Sequence, residues 1–115
     1  AFLSLESLNS LVSLTNFSNV TTIGGIRIGN SASIEVVTGF ESIVDGGNID
    51  FGANANLETA QFPNMVRASS LDINECPSFN SLQGFSQLTE IVGFGNLGSI
   101  DIDDVPSLLT LDGLE

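Results

Sequence analysis

Ile26-Arg27-Ile28, Ile49-Asp50-Phe51 and Leu71-Asp72-Ile73 decide how this chain is read. Each is an apolar–polar–apolar triplet, and Ile26, Ile49 and Leu71 open them at a nearly constant step along the chain. Working outward, Leu3-Ser4-Leu5 precedes the first by the same step, and Ile100-Asp101-Ile102 follows the last after a longer one. Self-similarity at a period of about 20–50 residues is the signature of solenoids, propellers and arrays. Further apolar columns stay in phase with the triplets. The first is Leu11, Ile34, Leu57, Phe79 and Leu108, and the second is Leu14, Val37, Ala60, Leu82 and Leu111. Phe17, Phe40, Phe62, Phe85 and Leu114 come next, followed in the first four copies by Val20, Ile43, Met65 and Leu88. The long fourth interval falls after Leu88. The glycine-dense stretch 92–98 there predicts a loop inserted between coils, with the core register intact.

The triplets have period two, which is the strand signature: outer residues point one way and the middle residue the other. Glycine, asparagine and serine cluster between them and supply turns. A helix is disfavoured, because the three-residue spacing of the later columns does not persist over two turns. Asn16, Gly39, Gly84 and Gly113 share one column, interrupted by Gln61. Glycine or asparagine at one repeated place predicts a left-handed corner there. The expected fold is all-β: a single-domain parallel β-solenoid of about five coils of 22–29 residues, occupying residues 1–115. No coil can bury its apolar face alone, so stability is a sum of nearest-neighbour interfaces. The four phenylalanines at 17, 40, 62 and 85 are expected to stack in the interior.

Composition narrows the function. The chain has 14 acidic residues, two arginines (Arg27 and Arg67), no lysine and no histidine, for a net charge of −12. Such a surface repels nucleic acid, which needs clustered Lys and Arg, and is poised for cations or basic partners. No apolar run reaches the roughly 20 residues of a membrane span. Cys76 is the sole cysteine, so no intrachain disulfide is possible, and its column makes it a small buried filler. Without histidine there is no Ser-His-Asp arrangement, and without lysine no phosphate-binding loop. A carboxylate pair could in principle act on glycosides, but the acids are placed on outward strand positions. The expectation is a protein that is not an enzyme.

Two stretches carry a resemblance. Ile49-Asp-Phe51-Gly-Ala-Asn54-Ala-Asn-Leu57 and Leu71-Asp-Ile73-Asn-Glu-Cys76-Pro-Ser-Phe79 look like leucine-rich repeats of the form L-x-L-x-x-N/C-x-x-L. Leu82-Gln-Gly-Phe85-Ser-Gln-Leu88-Thr-Glu-Ile91 is similar to receptor L-domain repeats of cell-surface proteins. The Asn/Cys column reads Leu8, Ser31, Asn54, Cys76 and Val105, so a continuous asparagine ladder is not expected. No convex helical segments accompany the repeats. The resemblance implies an extracellular or cell-surface module for binding or adhesion, with a protein or glycan as ligand.

The candidate sites lie on outward strand positions. One column runs Ser4, Arg27, Asp50, Asp72, Asp101, and the next Glu6, Gly29, Gly52, Asn74, Asp103. Arg27, Asp50, Asp72, Asn74, Asp101 and Asp103 are the candidate ligand-binding residues. Asp101, Asp103 and Asp104 form the densest acidic segment and are candidate calcium ligands, since calcium takes clustered carboxylate oxygens; no other cofactor is expected. A solvated acidic face that discourages aggregation is the plainer reading of the same residues. Asn16-Phe-Ser18 and Asn19-Val-Thr21 match the N-glycosylation acceptor pattern. Phe2, Leu3 and Leu5 begin the first coil, and Leu108, Leu111 and Leu114 end the last, without polar caps. That predicts either a segment of a longer chain or a structural subunit that stacks head-to-tail with copies of itself into a filament.

Overall fold

The computed structural model describes residues 2–8, 10, 17–91 and 99–109. It is a parallel β-solenoid. The five triplets form strands β1 (Phe2–Glu6), β2 (Gly25–Gly29), β4 (Asn48–Gly52), β7 (Ser70–Asn74) and β9 (Ser99–Asp103). These line up as one parallel sheet in the order β1-β2-β4-β7-β9. The register holds each triplet beside its counterpart, with Ile26 opposite Ile49, Ile49 opposite Leu71 and Leu71 opposite Ile100. Five strands bound four complete turns, one fewer than the five coils expected. Short strands build the remaining walls: β3 (Val36–Val37) pairs with β5 (Thr59–Ala60), and β6 (Arg67–Ala68) with β8 (Glu90–Ile91). A single 3₁₀ turn, Gln83–Phe85, is the only helical element among the described residues.

The three-residue spacing of the later columns comes from repeated turns. The carbonyls of Phe17, Phe40, Phe62 and Phe85 accept hydrogen bonds from the N–H groups of Val20, Ile43, Met65 and Leu88 at 3.0–3.3 Å. At another corner, Asn54, Cys76 and Val105 accept from Leu57, Phe79 and Leu108 in the same way. Both turns satisfy backbone groups at a bend while the flanking side chains point inward.

The interior is the set of columns read from the sequence. Ile26, Ile28, Ile49, Phe51, Leu71 and Ile73 from the sheet are fully buried, as are Phe40, Phe62 and Phe85. The phenylalanines stack nearly parallel. Phe17–Phe40, Phe40–Phe62 and Phe62–Phe85 have centroid separations of 5.1, 5.4 and 5.4 Å and interplanar angles of 19°, 14° and 16°. Phe62 also packs on Phe51 of β4 at 6.3 Å, joining the column to the sheet.

The left-handed corner lies elsewhere than the sequence predicts. It falls on the residue that follows each long strand: Ser7, Asn30, Ala53, Glu75 and Asp104, all with φ of 49–57°. None is glycine. What holds them is an inter-coil hydrogen bond: Ser7, Asn30, Ala53 and Glu75 donate their N–H groups to the carbonyls of Gly29, Gly52, Asn74 and Asp103 in the next coil, at 2.9–3.1 Å. In the expected column Gly39 does have a positive φ of 96°. Gly84 is required for a different reason, since a Cβ there would run into the carbonyl oxygen of Ala60. Asn16, Gly113 and the loop expected at 92–98 lie outside the described residues.

The Asn/Cys column forms no continuous asparagine ladder, but its middle members make a short polar one through the core. Asn54 is buried; its Nδ2 donates to the Ile28 carbonyl at 2.8 Å and its Oδ1 accepts from the Ser31 N–H at 3.0 Å. Ser31 Oγ donates to the Gly29 carbonyl and accepts from the Leu8 N–H. Cys76, in the same column, donates weakly to the Phe51 carbonyl of the preceding coil at 3.7 Å and to the Asn74 carbonyl of its own. A mixed Ser–Asn–Cys column thus ties adjacent coils without asparagine at every step. No buried side-chain nitrogen or oxygen among the described residues lacks a partner.

Phe62→Ala removes a ring that touches three others. It should cost about 3–5 kcal/mol, read as a lower midpoint in urea unfolding, with the half-buried Phe17 costing less. Ala53→Gly relieves a left-handed alanine (φ 57°) and should raise stability by about 1 kcal/mol, read in the same assay.

Candidate functional site

The long strands alternate, so every second side chain faces solvent on the sheet's outer face. Parallel pairing turns each outward position into a row across the coils. Two rows matter. Ser4, Arg27, Asp50, Asp72 and Asp101 are consecutive neighbours in register, as are Glu6, Gly29, Gly52, Asn74 and Asp103.

In the second row two glycines stand between longer polar residues. The missing side chains leave a notch of about 290 Å³ lined by Glu6, Arg27, Gly29, Asn30, Asp50, Gly52, Ala53, Asn74 and Glu75. Gly29 and Gly52 make the floor. Arg27 and Asp50 form one wall, the left-handed corner residues Asn30, Ala53 and Glu75 the other, and Glu6 and Asn74 stand at the ends. The side chains at the ends lean over the floor. A Cβ on Gly29 would sit 2.7 Å from Glu6 Oε2, and one on Gly52 would sit 3.1 Å from Asn74 Oδ1.

The notch is electrostatically organised. Arg27 Nε reaches Glu6 Oε1 at 2.5 Å and its terminal nitrogen reaches Asp50 Oδ2 at 3.4 Å. Asn30 Nδ2 donates to Glu6 Oε2 at 3.3 Å. The hydrogen bond to Glu6, then the charge of Asp50, push the Arg27 guanidinium pKa further up. One arginine is shared by two acids, and Glu75 adds a third carboxylate on the far wall. Donors and acceptors therefore alternate around a small, open, polar depression. It lies at the lower end of ligand-pocket size and lacks the apolar lining usual for drug-like molecules.

Beyond the notch the first row becomes purely acidic. Asp72 lies between Asp50 and Asp101 with no cation beside it. Partial burial raises its carboxyl pKa, and the charges of Asp50 and Asp101 raise it further, while a hydrogen bond from Ser70 opposes them. Cys76 lies beneath the face, fully buried, and burial pushes its thiol pKa up despite hydrogen bonds from Asn54. Such a thiol is poorly suited to act as a nucleophile.

The structure brings Arg27, Asp50 and Asn74 together in the notch. Asp72, Asp101 and Asp103 extend the acidic face beside it without lining it. Among the described residues no three His, Cys, Asp or Glu side chains converge to hold a metal ion, and Asp101, Asp103 and Asp104 are included in that. Asn19 is exposed on a turn, and Asn16 lies outside the described residues. Sequence reasoning missed Glu6, Gly29, Asn30, Gly52, Ala53 and Glu75 as site residues. Two consecutive glycines in an outward row were a readable sign of a gap. The corner residues share no chemical type and gave no such sign.

No protein-family model matches the chain, and no curated protein or solved structure matches it significantly. Among the described residues no helix is long and apolar enough to cross a membrane.

Asp72→Asn should stabilise the fold at neutral pH by roughly 0.5 kcal/mol, the scale of exposed charge pairs. The pH dependence has a definite sign. Because the native carboxyl titrates above its ordinary 3.8, the folded state takes up a proton before the unfolded chain does. Stability contributed at this site therefore rises as pH falls from neutral toward that value. Melting temperature against pH should show this component in the wild type and lose it in Asp72→Asn.

Proposed function

We propose that this chain is a non-enzymatic binding or adhesion module, working at a cell surface or outside the cell, that presents its parallel-sheet face to a protein or glycan. The observation that carries the reading is the glycine-floored notch beside an acidic row whose Asp72 has no arginine partner. A rigid sheet holds donors and acceptors at fixed spacing, which is what specific recognition of a hydrogen-bonding or basic group requires. The net charge of −12 favours a basic partner and steers it to this surface. The leucine-rich-repeat and receptor L-domain resemblance of Ile49–Leu57 and Leu71–Ile91 supports the same class of function.

The test is binding of the purified chain to arrays of immobilised glycans and of cell-surface proteins. Gly52→Val fills the notch, and Asp72→Lys with Asp101→Lys reverses the row. Each should weaken any captured ligand at least tenfold with little change in melting temperature. An empty array, or binding indifferent to both changes, sinks the reading.

A second reading, a structural subunit that stacks coil upon coil into filaments, is supported by one observation. Ile100 on β9 is 49% exposed, whereas Ile26, Ile49 and Leu71 in the same row are fully buried. Among the described residues its strand pairs in the sheet with β7 alone. Negative-stain microscopy separates the two: long fibres that survive the Asp72/Asp101 reversal favour the filament, and uniform small particles exclude it.

A further inference from the structure

We infer that Asn19 is an N-glycan attachment site, placed so that the sugar leaves the sheet face free. The triplet Asn19-Val20-Thr21 has the acceptor pattern, and the fold supplies what a glycan needs. Asn19 and Thr21 are both exposed, while Val20 between them is half-buried and packs against the core. The three residues lie where the turn closed by the Val20 N–H and the Phe17 carbonyl (3.0 Å) opens toward the bridge position Thr22. The asparagine side chain is therefore presented outward from a backbone that is pinned on both sides.

Comparison along the solenoid sharpens the assignment. The corresponding places in the next two coils are Ser42 and Asn64. Asn64 has its amide nitrogen committed, donating to the Glu41 carbonyl of the preceding coil at 2.6 Å, and it is followed by Met65-Val66, which is no acceptor. Asn19 makes no side-chain hydrogen bond among the described residues, so within this sequence its amide nitrogen is uncommitted. Asn54, by contrast, is buried in the ladder and could not carry a sugar in the folded chain. The notch and the acidic row are on the long strands, whereas Asn19 is on the turn between β1 and β2. A bulky, hydrated glycan there solubilises that wall without covering the face.

The reaction joins the amide nitrogen of Asn19 to the anomeric carbon of the first sugar. The donor is a lipid-pyrophosphate-linked oligosaccharide. Its lipid pyrophosphate leaves with the bonding electron pair of the broken C–O bond, and one amide proton is lost to an enzymic base of the transferase.

The test is secretion of the full chain from a eukaryotic cell line, with intact mass measured before and after peptide N-glycosidase. The expected result is an added mass of oligosaccharide size that the glycosidase removes, leaving aspartate at position 19 in peptide mapping. Asn19→Gln and Thr21→Ala should each abolish it, and Asn16→Gln should leave it unchanged. Melting temperatures of Asn19→Gln and wild type, both made in bacteria, should agree within a few degrees, so that loss of the sugar is not loss of fold. A secreted chain of unmodified mass overturns the inference, as does a glycan that persists in Asn19→Gln and disappears in Asn16→Gln.

Discussion

Burial of each coil's apolar face against the next is the constraint on which the rest of this structure depends. A single coil presents a short strand with two inward side chains and a few residues on the other walls, too little to exclude water. Stacked in register, the same residues become continuous columns, and Ile26, Ile49 and Leu71 or Phe40, Phe62 and Phe85 vanish from the surface. Near-parallel rings about 5 Å apart match the inter-strand spacing of a parallel sheet, so aromatic column and hydrogen-bonded ladder enforce the same pitch. A slip of one residue would put the polar centre of a triplet inside. That is why the step from Leu3 to Ile26, to Ile49 and to Leu71 stays so nearly constant.

The surface chemistry is a consequence of that pitch. Rows on the outer face are made by superposition, whatever residue each coil contributes. Where coils contribute Gly29 and Gly52, the row dips into a notch; where they contribute Asp50, Asp72 and Asp101, it concentrates charge. Arg27 relieves one end by bridging Glu6 and Asp50. At the other end no arginine stands beside Asp72, whose carboxyl pKa is raised first by partial burial and then by the charges of Asp50 and Asp101.

Inter-coil hydrogen bonds complete the scaffold in a way that depends little on residue type. Asn56 and Ser78 each donate a side-chain hydrogen bond to a carbonyl one coil back, at Ala32 and Ala55, and Ser107 does so to Pro77. The left-handed corner is built likewise, from Ser7, Asn30, Ala53, Glu75 and Asp104. A non-glycine residue with positive φ is strained by about 1 kcal/mol or more. The backbone bond to the next coil, made by Ser7, Asn30, Ala53 and Glu75, over-determines the conformation.

The amino-acid sequence by itself determined the solenoid, because burial repeats with the period of the apolar columns and those columns are visible as residue identities. It determined the inward residues, the outward rows and the buried setting of Cys76 for the same reason. Only the tertiary structure decided the left-handed corner, the Ser31–Asn54 ladder and the membership of the notch. These depend on backbone carbonyls of the neighbouring coil and on side chains that are absent at Gly29 and Gly52. The glycines are legible as a gap in an outward row, but neither the carbonyls nor the corner residues that close the notch leave a residue type at a fixed spacing for the sequence to display.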